Sequence, residues 1–271
     1  MRIAATAAFA TIALASAAFA QGKGVERLYI LECGQGHTGD MSRWTPGQNV
    51  NVPKDIVDNC YLIKHAQGYF LWDTGVADST PTDTPNSADP KALTWRRPKT
   101  LAAQLTELGV KPDDIKYVAV SHTHPDHIGN VEEFPKTVLL VQKAEYEWPD
   151  ANGKPRFNPT HPVTKLEGDY DVFGDGSLTI ISTPGHTPGH QSLFVRLAHF
   201  GPLVLSGDLY HYPSERTLKD FLPFAGRGND AQEATSKAKV EALLKEKRAT
   251  LWIQHDIIAD AKLKKSPAFY D

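Results

Sequence analysis

Six residues, His122-Thr-His124-Pro-Asp126-His127, follow directly on the apolar run 117–121 (YVAVS) and constrain this chain more than any other feature. In extended backbone side chains alternate, so His122 and His124 project to one side and both imidazoles can reach one metal ion. The following turn presents Asp126 and His127 in a different direction, which suits a second ion close by. A lone histidine is usually an ordinary core or surface residue; three with an aspartate in six residues at a strand end form a metal site. Imidazole nitrogen with carboxylate oxygen, and no thiolate, favours zinc, with iron, manganese or cobalt as alternatives. Structural zinc usually sits in a closed, cysteine-rich shell, whereas this set leaves positions open to water.

The remaining ligands must come from distant segments, and the same pattern recurs there. Apolar runs at 178–182, 203–206 and 251–254 lead into TPGHTPGH, GDLYHY and His255. The candidates are His186, Asp208 and His255; His190 competes with His186, which is preferred because it comes straight off the turn ending a strand. His37, His65, His161 and His199 have no ligand-like neighbours and are expected on the surface. Runs at 27–33, 60–64 and 69–73 read as opening antiparallel strands, and 138–142 as a further strand. Leu101, Leu105 and Leu108 before Gly109 predict a helix. A second helix is predicted over 230–247, with Ala234, Ala238, Leu243 and Leu244 facing inward. Segments 34–58 and 77–99 read as long loops, the kind that form lids or binding sites. Strands, then helix and strand in alternation, twice over, predict an α/β fold: two packed mixed β-sheets with helices on the outer faces, an αββα sandwich. Apolar strands that each end on a candidate ligand put the chemistry at one edge of those sheets.

Residues 1–20 carry one charge, Arg2, followed by an Ala-rich apolar run closing on Ala18-Phe19-Ala20. That reads as a secretory signal peptide, so a bacterial periplasmic or secreted location is expected. No linker, charge block or repeat divides residues 21–271, which are expected to form one domain. No further long apolar stretch predicts a membrane span in the mature form. Without the signal, 28 basic residues face 32 acidic ones, so nothing attracts a polyanion and nucleic acid is not an expected partner. Cys33 and Cys60 lie on neighbouring predicted strands in an oxidising compartment, where a disulfide is one reading and two small buried thiols the other.

HTHPDH, TPGHTPGH, the strand-end Asp208 and the late His255, in that order, resemble the metallo-β-lactamase superfamily across nearly the whole mature chain. The resemblance implies the metallo-β-lactamase fold and two Zn2+ per chain. It assigns His122, His124 and His186 to one ion, Asp126, His127 and His255 to the other, and Asp208 as the bridge. Asp73 in WDTG matches a further superfamily motif, as a buried carboxylate that fixes a ligating imidazole or a loop. Two such ions hold a hydroxide between them, so no Ser or Cys nucleophile is needed. The implied reaction is hydrolysis at a carbonyl or phosphoryl centre, with Asp126 or Asp208 relaying the proton.

Fold alone does not choose the substrate. Zinc β-lactamases lack a bridging aspartate, so Asp208 argues against antibiotic hydrolysis; glyoxalase II enzymes keep it but add a basic C-terminal region with no clear counterpart here. LYILECG, DNCYLIKH, FLWDTG, SHTHPDHIGN and SGDLYHY together are similar to the N-acyl homoserine lactonase family. That similarity implies a small-molecule substrate, an acylated lactone, whose ring is opened in quorum quenching. Where many of these lactonases place a tyrosine three residues after the bridging aspartate, this chain has His211, flanked by Tyr210 and Tyr212. An imidazole can donate the same hydrogen bond, so His211 is the first choice for contacting the substrate oxygen and the tyrosines are the fallback. Trp44, Trp95, Trp148, Phe157, Phe221 and Phe224 are candidates for holding an acyl chain. An organophosphate hydrolase of the same fold is the main alternative, ahead of a β-lactamase or a zinc-binding protein without turnover. A homodimer is the oligomeric expectation.

Overall fold

Strands β1 (Val25–Thr38) and β2 (Lys54–His65) pair as a long antiparallel ribbon, and β3 (Gly68–Trp72) returns beside β2. The structure is a computed structural model describing residues 24–83, 87–217 and 230–271; the expected signal peptide lies outside them. Beyond β3 come β5 (Ile115–Ala119), β6 (Val138–Gln142) and β7 (Val163–Leu166), all parallel to it, while the short β4 (Leu93–Arg96) flanks β1. These complete a seven-stranded sheet in the order β4-β1-β2-β3-β5-β6-β7. A second, five-stranded sheet runs β12-β11-β10-β9-β8, built from β8 (Tyr170–Asp171), β9 (Leu178–Ser182), β10 (Gln191–Leu197), β11 (Gly201–Leu205) and β12 (Thr250–Trp252).

Alternation along the strands sorts side chains into layers. Leu28 and Ile30 of β1, Ile63 of β2 and Phe70 and Trp72 of β3 face Ile180, Leu193, Val195 and Leu203 of the other sheet in one buried core. Their neighbours Leu31, Leu62, Leu71 and Val118 point outward, onto Leu101 and Leu105 of α1 (Leu101–Glu107). On the far side Ile181, Phe194 and Val204 meet Val240 and Leu244 of α4 (Asp230–Lys247). Helix, sheet, sheet and helix therefore stack as the expected αββα sandwich. The predicted inward face of α4 is corrected: Ala234 and Ala238 are exposed, and Glu233, Ser236, Val240 and Leu244 are the buried positions.

The remaining α-helices among the described residues are short: α2 (Pro125–Ile128), α3 (Lys143–Tyr146) and α5 (Ile257–Asp260). The segment 34–58, read as a loop, is strand at both ends, since β1 runs on to Thr38 and β2 starts at Lys54. Gly34 and Gly36 in β1 leave room for side chains of the neighbouring strands. Gly36 lies between Ile56 and Trp95 in the register, and a Cβ there would stand 2.8 Å from Ile56 and 2.9 Å from Trp95. Glycine thus leaves room for the Trp95 ring beside the strand. Cys33 and Cys60 are joined in a fully buried disulfide, with Cα atoms 5.7 Å apart, beside a bulge in the β1–β2 register.

Candidate metal centre

β5 delivers the chain through extended residues to His124, where Pro125 starts α2. Proline suits that first helical position because its missing N–H would be unpaired there anyway. His122 and His124 consequently precede the helix, and Asp126 and His127 occupy its first turn. His186 follows β9, Asp208 sits in the turn after β11, and His255 follows β12. All seven stand at one edge of the two sheets.

Their donor atoms form two groups among the described residues: His122, His124, His186 and Asp208 in one, and Asp126, His127 and His255 in the other. In the first, Nδ1 of His124 lies 2.8 Å from Nε2 of His122 and 3.1 Å from Nε2 of His186. Nitrogens about 2 Å from a tetrahedral zinc lie roughly 3.3 Å apart, close to this spacing. Asp208 spans the groups. Its Oδ2 is 3.5 Å from His186 and 3.7 Å from His122, while Oδ1 is 3.1 Å from His255 and 3.3 Å from His127. Asp126 reaches the second group from the other side, 3.7 Å from His127 and 3.8 Å from His255. Oδ1 of Asp208 and Nε2 of His127 are buried without a hydrogen-bond partner. Buried polar atoms focused on one point and left unpaired are what a cation satisfies, so the residues fit a pair of metal ions.

Protonation follows the same division. Burial, reinforced by neighbouring imidazoles, holds His122 and His186 well below the usual histidine range, and burial pushes His124 down to about 4. Their lone pairs are therefore available to a metal. Burial also disfavours charge on His127 and His255, but Asp208 and Asp126 outweigh it, holding His127 well up and His255 at about 9.

The surrounding hydrogen bonds aim the ligands. Asp73, directly after β3 in a left-handed conformation (φ 57°), accepts the backbone N–H of Ser121 at 2.6 Å and Nδ1–H of His127 at 3.1 Å. Nδ1–H of His255 donates to the Val57 carbonyl at 2.7 Å. In both rings Nε2 is left for the centre, the arrangement that fixes tautomer and direction in metal sites. His190 is no ligand: its Nε2 accepts the backbone N–H of Asp208 at 3.0 Å while Nδ1 meets Thr183. Glu145 and Glu215 went unnoticed in the sequence. Buried Glu145 accepts from Thr123 and Gly189, tying the HTHPDH and TPGHTPGH loops together. Glu215 holds His211, to whose backbone N–H it is 2.6 Å distant. The available signal for Glu145 was an acid just beyond an apolar strand, as with Asp73 and Asp208.

A cleft of about 270 Å³ opens over the cluster, lined by His124, Asp126, His186, Asp208, His211 and His255 below and by Arg43, Trp44, Leu93 and Trp95 above. Trp44 and Trp95 thus stand where an apolar group would lie. Trp148 and Phe157 do not: Trp148 packs under Arg156, and Phe157 is core, stacked on Tyr146. Phe221 and Phe224 lie outside the described residues. Of the three residues at the tyrosine position only His211 faces the cleft; Tyr210 points to Glu241 and Tyr212 to Thr45. Two histidines expected on the surface are buried: His65 stacks on Phe173 and pairs with Asp175, and His161 is also enclosed.

Residues 55–255 match the model of the metallo-β-lactamase superfamily. The N-acyl homoserine lactonase AttM of Azorhizobium caulinodans is 33% identical over 270 residues, covering 90% of this chain and 98% of the relative. The chain belongs to the metallo-β-lactamase superfamily and its N-acyl homoserine lactonase family. Another relative, the N-acyl homoserine lactonase AiiA of Bacillus thuringiensis subsp. kurstaki, is 30% identical over 260 residues, covering 90% of this chain and 99% of its own length. An N-acyl homoserine lactone hydrolase solved with its product N-hexanoyl-L-homoserine at the catalytic metal centre superposes with a TM-score of 0.76. It is 25% identical, with 91% of this chain and 99% of that one covered.

Proposed function

We propose that this lactonase-family chain opens the ring of N-acyl homoserine lactones, using two divalent ions, zinc foremost, at the His/Asp cluster. The bridging position of Asp208 between two donor groups, at the floor of a cleft walled by tryptophans, is the observation that carries the reading. The family's product-bound structure supports it. When bound, a pair of such cations polarises the ester carbonyl and lowers the pKa of a water so that a nucleophile exists at neutral pH. The chain supplies the rest. Asp126 lines the cleft and is poised to carry a proton from the attacking water to the alkoxide that leaves as the ring C–O bond breaks. Trp44, Leu93 and Trp95 offer the apolar wall for the acyl chain, and His211 meets the polar head.

We also infer an oxidising compartment, periplasmic or extracellular. The buried Cys33–Cys60 bond supports it, because such bonds persist where thiols are not kept reduced. Among the described residues no helix is long and apolar enough to cross a membrane.

The test offers zinc-loaded protein an N-acyl homoserine lactone, paraoxon and a chromogenic cephalosporin, following acid release or colour. Lactone opening should exceed the other two by orders of magnitude. Faster turnover of paraoxon would move the assignment to phosphotriesters, and no turnover of any would leave a binding protein.

A further inference from the structure

Glu215 is buried beside the cleft yet belongs to neither donor group. It lies in the helical turn Pro213–Arg216, its side chain fully enclosed, and grips His211 twice. One oxygen accepts the His211 backbone N–H at 2.6 Å and the other lies 3.3 Å from Nδ1. Trp44 covers the ring, with centroids 5.5 Å apart and planes inclined by 31°. The imidazole therefore has one orientation, with Nε2 turned to the metal centre, 3.6 Å from Oδ2 of Asp208 and beyond hydrogen-bond reach of it.

A carboxylate can only accept, so the proton of the neutral ring sits on Nδ1 and Nε2 presents a lone pair to the cleft. This differs from the role read from the sequence, where His211 stood in for a tyrosine O–H donating to the substrate oxygen. A lone pair needs a donor. In a lactone ring both oxygens are acceptors; the N–H that an N-acyl homoserine lactone offers is that of its amide, on the carbon next to the carbonyl. We propose that His211, aimed by Glu215, accepts a hydrogen bond from this amide N–H and so selects α-acylamino lactones over lactones that lack it. Glu215 acts as a positioning residue and His211 as the contact. The inference rests on the lactone reading above.

The experiment compares N-hexanoyl homoserine lactone with its N-methyl derivative, which keeps ring, carbonyl and chain but has no N–H, on zinc-loaded wild type, H211A and E215Q. The kcat/KM ratio should favour the N–H substrate about tenfold in wild type, mostly through KM, in line with one hydrogen bond. It should collapse toward one in both variants, whereas a merely structural role would slow both substrates alike. In E215Q an amide NH2 can face Nδ1, so the tautomer should reverse. In [15N]histidine-labelled protein the His211 resonances, assigned by their loss in H211A, should report Nδ1–H in wild type and Nε2–H in E215Q. A wild-type ratio near one, a ratio unchanged by the variants, or an Nε2–H ring in wild type would each overturn the inference with lactone hydrolysis intact. If neither lactone were opened, the lactone reading itself would fall. H211F, an apolar ring with no lone pair to offer, serves the same comparison if E215Q does not fold.

Discussion

Asp208 and Asp73 serve the same cluster in different ways, and substitution separates them. Asp208 faces both donor groups, with His255 on one oxygen and His186 on the other. Asp208→Asn should lower metal retention in both groups and reduce lactone hydrolysis beyond the roughly 10–100-fold typical of changes to residues that only orient ligands. Asp73 touches the second group directly, through His127, and reaches the first only by way of the Ser121 hydroxyl, 3.1 Å from Nδ1 of His122. Asp73→Asn should weaken the ion held by Asp126, His127 and His255 by roughly 10–100-fold and affect the first group less. Metal analysis after dialysis checks both. Equal loss from the two groups in the Asp73 variant would contradict the orienting role.

At the scale of elements, the disulfide and one hairpin contact decide how firmly the sheet edge is held. Cys33–Cys60 spans 27 residues, for which loop-closure entropy predicts about 3.5 kcal/mol of stabilisation. A Cys33→Ala/Cys60→Ala double variant should show a correspondingly lower urea midpoint; an unchanged one would mean the bond adds nothing beyond the β1–β2 pairing. Elsewhere, Asp175 joins the β8–β9 turn to His65 at the end of β2. Partial burial opposes its charge, but hydrogen bonds from Ser177 and the His65 ring prevail and bring its pKa down to about 2. Because the folded value lies below the unfolded one, near 3.9, this contribution is complete above pH 4 and is lost as pH falls toward 2. Asp175→Asn should therefore flatten the acid limb of stability against pH, and an unaltered limb would refute the assignment. Legibility at this scale tracked local pattern. The helices at 101–107 and 230–247 and the strands entering the ligand turns follow from spacing within a few residues. The strand ends around Gly34–Thr38 were hidden, because glycine reads as loop unless the Trp95 and Ile56 packed on it are known.

For the whole molecule, the ligands of the cluster come from both sheets: His122, His124, Asp126 and His127 from the edge of one, His186, Asp208 and His255 from the edge of the other. Cations bound there link the two sheets, so chelation should lower the thermal midpoint, since a ligand bound only by the native state stabilises it. The metal cluster was readable in the sequence because its donors sit on strand ends with characteristic neighbours. The wall of the cleft was readable only in part, because a tryptophan carries no mark of the side it packs on: of the aromatic candidates Trp44 and Trp95 face the site, whereas Trp148 lies under Arg156. Glu215 was equally hidden, its meaning arising only from contact with His211. The central claim, a two-cation lactonase cleft, is tested most directly by adding zinc stepwise to metal-free protein while following acid release from N-hexanoyl homoserine lactone. Hydrolysis should rise and saturate at two equivalents per chain. Saturation at one equivalent, or no ring opening at any loading, would contradict it.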